Sequence, residues 1–318
     1  MSLLDKTNLL ITPNAVKVGK LYSVIPSSGL GDCTVVRNTT ATRINNLGFI
    51  ENVSANVPRV SYLTAGGNSF LLVEPQRTNL LLKSIDFSVG NWTKASSSIV
   101  PNNHISPDNT VNASKLIASS GTNNFIELFQ LTTASQGTLL CQSYFVKKAE
   151  IGFCQITGPG SVFSGFFVNF DLNLGIVSSF FKDGLTTLIY GIEPAANGYF
   201  RIFVIANCLN TSNVTRLALN LIKTGTTGRG AAETFNGTDG LYVWGADLQV
   251  GSTLTSFIPT DSAAVTRNAD VITVSPPAGT VKITTTFSDN TTQVITSIPA
   301  LFTVPDGLIK QVLMQSSL

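Results

Sequence analysis

The chain has 318 residues, only 12% of which are charged, and its formal net charge is +2. This sparse charge argues against a DNA- or RNA-binding surface, which clusters lysine and arginine to neutralise phosphates. The sequence has no run of about 18 uncharged apolar residues, so we expect no membrane-spanning helix. The start MSLLDKTNLL lacks a basic segment followed by a long apolar one, which predicts no signal peptide.

Residues that commonly bind metals or act as nucleophiles are few. Four cysteines are scattered without CxxC spacing, at Cys33, Cys141, Cys154 and Cys208, which favours buried free thiols over a disulfide framework. The single histidine, His104, lies in a polar stretch. One histidine makes a zinc site or a Ser-His-Asp triad very hard to build.

From the N-terminus onward the sequence predicts strands rather than helices, because β-branched and aromatic runs are separated by glycine, asparagine and proline. Residues 1–78 are predicted to form short strands. Residues 79–272 hold longer ones and predict a jelly-roll or concanavalin-like β-sandwich, within an all-β chain. The clearest of these strands are predicted at Thr138–Lys147, Phe163–Leu172, Thr186–Ile192, Tyr199–Asn207 and Val214–Ile222.

The predicted strand Tyr199–Asn207 has two half-apolar faces. Strict alternation places Ile202 and Val204 on one face and Arg201 and Phe203 on the other. Such a strand is expected to lie between the core and a surface that is itself partly covered.

Residues 273–318 are predicted to form a small, separate β unit. The segment Ser275–Gly279 (SPPAG) is typical of a linker. Ser288–Asn290 (SDN) is typical of a hairpin turn between two threonine-rich strands. The apolar end GLIKQVLMQSSL suits a trimer clamp or a docking tail.

Several segments, taken together and in this order, resemble those of tailed-phage virion proteins. The similarity spans most of the chain, and it is the combination rather than any one segment that is specific. The segments include VGKLY at Val18–Tyr22, RNTTATR at Arg37–Arg43, EPQRTN at Glu74–Asn79, NGYFRI at Asn197–Ile202 and the run Leu241–Ile272.

This resemblance implies a lectin-like β-sandwich, with residues 1–78 as a virion-attachment or assembly unit. The implied protein is a tail-fibre, head-fibre or other appendage subunit that adheres to host cell-surface glycans. It implies a homo-oligomer, a trimer rather than a dimer, with other virion proteins as partners and assembly in the host cytoplasm. The alternative is a purely structural capsid or tail decoration that binds only neighbouring virion subunits.

Sugar binding needs flat aromatic faces for the C–H side of a pyranose and placed polar groups for its hydroxyls. Trp92 follows the turn SVGN, and Trp244 lies within a predicted strand. Packing in a core or an interface is the competing interpretation for both tryptophans. The candidate carbohydrate-binding residues are Trp92, Tyr190, Asn197, Tyr199, Arg201 and Trp244.

The one cofactor that the resemblance suggests is a structural calcium ion between the first and last strands of the sandwich. Its oxygen ligands would include Asp86 and Asp247. The sequence has no EF-hand spacing.

Several arginines lie in otherwise uncharged sequence, where their guanidinium groups suit bidentate bonds to carboxylates or backbone carbonyls, with substrate binding as the alternative role. We expect them to form ion pairs within the fold or an interface. The arginines are Arg37, Arg43, Arg59, Arg77 and Arg267, and the candidate partners are Glu51, Glu74, Asp247 and Asp270.

Enzymatic activity is not expected. Glycoside hydrolysis needs two carboxylates about 5–10 Å apart, and the 18 acidic residues fall in no recognisable catalytic pattern. The glycines of Gly225–Glu233 lack the spacing of a phosphate-binding motif, so this segment is predicted to be a loop.

Overall fold

The structure is a computed structural model that describes residues 6–158, 165–182, 187–209 and 216–317. Within these ranges the chain is built from β-strands without an α-helix, which confirms the all-β sandwich predicted from the sequence. Two single turns of 3₁₀ helix lie at Pro13–Ala15 and Ala196–Gly198. The predicted strand starts at Phe163, Thr186 and Val214 lie outside the described residues.

The chain folds into two compact units. Residues 1–77 and 266–318 form the first, which we call the split unit, and residues 78–265 form the second, which we call the sandwich unit. The boundary between the first part of the split unit and the sandwich unit follows residue 77, whereas the sequence predicted it after residue 78. The boundary at the end of the sandwich unit follows residue 265, whereas the sequence predicted it after residue 272.

Short strands make up the chain as far as residue 79. They are β1 (Thr7–Ile11), β2 (Val16–Lys17), β3 (Lys20–Leu21), β4 (Thr34–Val36), β5 (Ala41–Ile44), β6 (Ile50–Val53), β7 (Arg59–Tyr62), β8 (Ser69–Val73) and β9 (Arg77–Asn79).

Longer strands follow in the sandwich unit. They are β10 (Thr93–Ala95), β11 (Ser97–Ile105), β12 (Val111–Ala118), β13 (Gly121–Asn123), β14 (Glu127–Phe129), β15 (Leu139–Lys148), β16 (Phe153–Thr157), β17 (Phe167–Asp171), β18 (Ile176–Phe181), β19 (Leu188–Ala195), β20 (Tyr199–Asn207), β21 (Ala218–Ile222), β22 (Glu233–Phe235) and β23 (Gly240–Val250).

The last strands return to the split unit. They are β24 (Val265–Arg267), β25 (Val271–Val274), β26 (Thr280–Phe287), β27 (Thr292–Ile295), β28 (Phe302–Thr303) and β29 (Gly307–Ser316). Strand β24 pairs with β9, and the chain crosses between the units within these two strands. The predicted hairpin is confirmed, because β26 and β27 pair antiparallel on either side of Ser288–Asn290.

The split unit combines strands from both ends of the chain. Its six-stranded sheet has the order β27-β26-β29-β8-β7, and β1 also pairs with β29. A three-stranded sheet has the order β28-β25-β4, and the pairs β5-β6 and β2-β3 form hairpins.

Residues 273–318 are therefore not a separate unit, and this corrects the prediction. Strand β29 pairs with β1 and β8, both from the first 77 residues, as well as with β26. Ile309, Val312 and Met314 of β29 are fully buried in one core with Leu9 and Ile11. A hairpin with one apolar face must bury that face against another element to be stable. These side chains serve the chain's own core, which removes the basis for the clamp or docking tail.

The sandwich unit contains two six-stranded antiparallel sheets. The front sheet has the order β10-β14-β21-β16-β17-β18, and the back sheet has the order β11-β12-β23-β15-β20-β19. Side chains of both sheets form one apolar core, with Tyr144 and Ile202 from the back sheet and Val168 and Leu219 from the front sheet. The strands β13 and β22 form an additional two-stranded pair.

The outer face of the back sheet carries a second buried layer. Phe145 and Trp244 point away from the main core, and their ring centroids are 5.3 Å apart. Both rings pack against Phe257, at centroid distances of 6.1 Å from Phe145 and 5.0 Å from Trp244. Phe257 belongs to the segment that follows β23. The two-faced character predicted for strand Tyr199–Asn207 is confirmed, since Ile202 lies in the core and Arg201 is buried on the opposite face.

The cysteines are free thiols, as predicted. Cys141, Cys154 and Cys208 are buried, and Cys33 is half-buried. Burial raises the pKa of the Cys33 thiol to about 12, and the nearby Asp32 adds to the shift. Burial also raises the pKa of Cys154 strongly, so neither group is a thiolate near neutral pH.

Candidate binding sites

The two tryptophans predicted to bind sugar are buried in the sandwich unit. Trp92 is 2% exposed, its Nε1 donates to the backbone oxygen of Lys83 at 3.0 Å, and its ring packs on Phe87. Trp244 is 1% exposed and packs between Phe145 and Phe257. Neither ring presents a face to a ligand, so the core-packing interpretation holds for both.

Tyr199 and Arg201 are buried as well. The Arg201 guanidinium donates to Ser143 Oγ and to the backbone oxygen of Thr255, at 3.0 and 2.7 Å. It also lies 5.2 Å from the centre of the Phe145 ring. Arg201 thus fastens the segment that covers the back sheet and is not open to a sugar.

Tyr190 and Asn197 are half-buried and lie apart in structure. The Tyr190 ring packs against Phe180 with centroids 4.8 Å apart. Asn197 has a φ of +57° in a tight turn, and its Nδ2 donates to the backbone oxygen of Ser106 at 2.7 Å. The six predicted residues therefore have separate structural roles and do not form a single pocket.

The two predicted calcium ligands each accept hydrogen bonds from the protein, although Asp247 Oδ1 is buried without a hydrogen-bond partner. Asp86 is exposed, and its Oδ1 accepts hydrogen bonds from the backbone nitrogen and hydroxyl of Ser88. Asp247 is buried and accepts from the Ile258 backbone nitrogen and from Gln249 Nε2. Among the described residues, no group of three or more histidine, cysteine or acidic side chains could hold a metal ion.

The predicted arginine ion pairs are confirmed for three of the five arginines in one network of the split unit. Arg43 forms a separate pair with Glu51, whereas Arg77 donates to the backbone oxygen of Gln76. Arg37, Arg59 and Arg267 are buried together with Glu74 and Asp270. Arg37 Nη1 lies 2.7 Å from Asp270 Oδ1, and Arg59 Nη2 and Arg267 Nη1 lie 2.8 and 2.9 Å from Glu74 Oε2. Because all five charges are buried and paired, this network serves the fold.

A row of polar side chains crosses the outer face of the front sheet. Glu127, Asn220, Gln155, Asn169 and Ser179 stand opposite one another, one from each of five neighbouring strands. The residues beside the first four in sequence point into the apolar core, so the pleat turns these four outward, and Ser179 lies next to Asn169 on the edge strand. We call this set the polar row.

The glycine-rich segment Gly225–Glu233, which the sequence predicted to be a loop, covers one end of the polar row. Asn169 Nδ2 donates to the backbone oxygens of Thr227 and Gly225, at 2.7 and 3.2 Å. Gln155 Oε1 accepts from the Gly230 backbone nitrogen at 3.0 Å, and its Nε2 donates to Asn169 Oδ1. These amides hold the loop against the sheet.

The other end, which we call the arginine end, consists of Glu127, Asn220, Arg216 and Arg229. Arg216 Nη2 lies 3.0 Å from Glu127 Oε2, and Asn220 Oδ1 is buried without a hydrogen-bond partner. Burial raises the pKa of Glu127, and the positive charges of Arg216 and Arg229 oppose that shift only in part.

Two phenylalanine rings support these guanidinium groups. Arg216 stacks over Phe129 at 4.3 Å, and Arg229 stacks over Phe125 at 5.3 Å. Arg229 also donates to the backbone oxygen of Gly158. Stacking limits the rotation of both arginines and holds their donors close to the buried carboxylate.

None of the residues of the arginine end was singled out from the sequence. The available signal is a polar residue inside an apolar strand, such as Asn220 between Leu219 and Leu221 or Gln155 between Cys154 and Ile156. That signal marks an outward-facing position, but it does not say which strands are neighbours.

No family model matches this chain, and no curated protein matches it significantly. The described residues include no helix that is both long and apolar enough to cross a membrane.

Proposed function

We propose that the protein is a structural subunit of a tailed-phage virion, of fibre or appendage type, that adheres to cell-surface glycans through its sandwich unit. The segments that resemble virion proteins support the virion part of this proposal. The two stacked six-stranded sheets support the lectin-like part. In this proposal the chain assembles in the host cytoplasm as a homotrimer and contacts other virion proteins.

The observation that carries the glycan proposal is the arginine end of the polar row. A sugar hydroxyl both donates and accepts hydrogen bonds. Glu127 and the unpartnered Asn220 Oδ1 supply acceptors, and the guanidinium of Arg216 supplies donors. Arg216 is 31% exposed and forms the solvent side of the site, whereas Glu127 and Asn220 are each 1% exposed, so a hydroxyl reaches their oxygens only where the Arg216 side chain moves aside. This combination of hydrogen-bond donors and acceptors fits neighbouring hydroxyls of one sugar ring. The hydroxyls would accept hydrogen bonds from Arg216 while Arg216 keeps its ion pair with Glu127.

The proposed activity is binding without bond cleavage. Glycoside hydrolysis requires a second carboxylate about 5–10 Å from the first. The charges with the largest effect on the pKa of Glu127 are the cations Arg216 and Arg229. Firm attachment would then come from several weak sites on one oligomer acting together.

The exposed apolar residues of the sandwich unit support the homo-oligomer. Ile176, Phe180 and Phe181 of β18 are 46, 50 and 53% exposed, and β18 is an edge strand of the front sheet. Uncharged edge strands with exposed aromatic side chains favour association with another chain. In a virion appendage these residues would be buried between copies.

A purely structural decoration protein is the second candidate. The observation that favours it is the burial of Trp92, Trp244 and Tyr199, the aromatic residues expected to bind sugar. In that case the surfaces of the sandwich unit contact only neighbouring virion subunits.

A glycan array probed with the purified oligomer separates the two candidates. We expect saturable binding to at least one glycan, and we expect Arg216→Ala to weaken it about tenfold or more. Lys115→Ala is the matched control, because it also removes one positive charge and one exposed ion pair of the sandwich unit, that with Glu150. An array without binding by a folded oligomer, or binding that is unchanged in Arg216→Ala, would reject adhesion through this site.

A further inference from the structure

A polar groove lies on the split unit, away from its buried ion network. Arg43 and Glu51 stand opposite each other on the hairpin β5–β6, and Tyr62 lies on the neighbouring strand β7. The concavity has a volume of about 260 Å³. We call it the hairpin groove, and its lining residues are Arg43, Asn45, Asn46, Glu51, Val60 and Tyr62.

Three polar side chains of the hairpin groove, those of Arg43, Asn45 and Glu51, are held in place by hydrogen bonds within the protein. Asn45 Oδ1 accepts from the backbone nitrogens of Leu47 and Phe49, at 2.9 and 3.0 Å, which locks the amide. Asn45 Nδ2 then donates to Glu51 Oε2 at 2.9 Å, and Arg43 Nε donates to Glu51 Oε1 at 2.7 Å. A site whose side chains are already fixed loses less conformational entropy when it binds.

The Arg43–Glu51 pair is too exposed to matter greatly for stability. Their side chains are 28 and 36% exposed, and ion pairs at this exposure contribute little to folding. By contrast, Arg59 on the adjacent strand is fully buried within its ion pairs. A half-exposed pair that is positioned by a chain of hydrogen bonds is better explained by binding than by folding.

The groups lining the hairpin groove define the class of ligand. Arg43 and Glu51 cancel in charge, so the groove favours a neutral molecule over an ion. Val60 and the Tyr62 ring supply apolar surface. The Tyr62 hydroxyl and the Asn46 amide make no hydrogen bond with the described residues and can each donate and accept.

We propose that the hairpin groove binds one ring of a neutral saccharide. A pyranose offers an apolar C–H face for Tyr62 and hydroxyls for Arg43, Asn46 and Glu51. The volume lies just below the range of about 300–1,000 Å³ found for pockets that hold drug-sized ligands, which suits a single ring. This site is independent of the arginine end, because it lies in the other unit and shares no residue with it.

The test uses the full-length chain and saturation-transfer NMR with the methyl glycosides of glucose, galactose, mannose and N-acetylglucosamine. We expect saturation of the ring protons of at least one glycoside. Tyr62→Ala should weaken its binding about tenfold, because the stacking surface is lost. Tyr62→Phe, which keeps the ring, should weaken binding less. Tyr22→Ala is the matched control, since Tyr22 lies in the same unit but does not line the groove.

A second variant keeps the test decisive if Tyr62→Ala does not fold. Asn46 is exposed, and Asn46→Asp adds a negative charge beside Glu51 without disturbing the core. In the Arg216→Ala background, where the arginine end no longer contributes, it should abolish the saturation signal. The proposal is overturned if no glycoside gives a signal, or if the signal persists unchanged in Tyr62→Ala or Asn46→Asp.

The arginine end is tested separately by the same measurement. Arg216→Ala should leave saturation through the hairpin groove intact while abolishing binding at the sandwich unit. If the saturation signal is lost in Arg216→Ala but kept in Tyr62→Ala and Asn46→Asp, the glycoside binds at the arginine end. That result would reject the hairpin groove as a saccharide site.

Discussion

Arg37 Nη1 donates a 2.7 Å hydrogen bond to Asp270 Oδ1, although the two residues are 233 positions apart in the sequence. Asp270 also pairs with Arg59, and its Oδ2 accepts from the Glu74 backbone nitrogen. The same carboxylate therefore binds three parts of the first 77 residues to the segment that precedes β25. This contact helps to explain why both ends of the chain belong to one unit.

Asp270→Asn should destabilise the split unit by about 3–5 kcal/mol, because it leaves the buried Arg37 and Arg59 undercompensated. The measurement is urea-induced unfolding followed by circular dichroism. Glu51→Gln, which breaks a half-exposed pair in the same unit, should cost at most about 1 kcal/mol. Equal losses for the two variants would contradict the structural role assigned to the buried network.

Gln155→Ala should loosen the contact between the polar row and the glycine-rich loop that covers it. The Gly230 backbone nitrogen loses its acceptor, so its amide hydrogen should exchange faster with solvent. Hydrogen–deuterium exchange of a peptide covering Thr224–Gly230 provides the measurement. Thr122→Ala, which removes an exposed hydroxyl pair with Thr234, is the control and should leave this peptide unchanged. Unaltered exchange in Gln155→Ala would show that the loop is held by other contacts.

The stability of the sandwich unit should depend on pH through Glu127. Its folded-state pKa is raised above the ordinary value of 4.5 by burial, so the native state retains a proton that the unfolded state has lost. The stabilisation is complete below pH 4.5 and is lost as pH rises through the raised pKa. Glu127→Gln cannot titrate and lacks this dependence.

The measurement is the free energy of unfolding of the wild type minus that of Glu127→Gln, followed from neutral pH down to the ordinary value of 4.5. This difference should move in favour of the wild type as pH falls. A flat difference, or one that moves in favour of the variant, would mean that the arginines outweigh burial at Glu127.

Truncation after Val274 should unfold the split unit, because it removes β26, β27 and β29 from the six-stranded sheet. The buried side chains of Ile283 and Met314 would leave the core that also contains Leu9. Loss of β-structure by circular dichroism and loss of dispersed NMR signals are the measurements. A well-folded truncated chain with altered oligomer mass would instead restore the clamp interpretation of this segment.

The sequence determined the features that depend on neighbouring residues. Alternation in Tyr199–Asn207 predicted a strand with two covered faces, because the pleat turns successive side chains to opposite sides. The hairpin at Ser288–Asn290 was predicted from turn chemistry, which is also local. The buried ion pairs were predicted because a charged group in an apolar chain requires a partner.

Only the tertiary structure decided which distant segments meet. Strand order places β29 against β1 and β8, and cross-strand register brings Glu127, Asn220 and Gln155 into one row. The tertiary structure also buries Trp92 and Trp244, whose rings were candidates both for core packing and for a sugar site. Sheet pairing depends on the packing of many residues at once, so the sequence of a single strand does not determine which strands it pairs with.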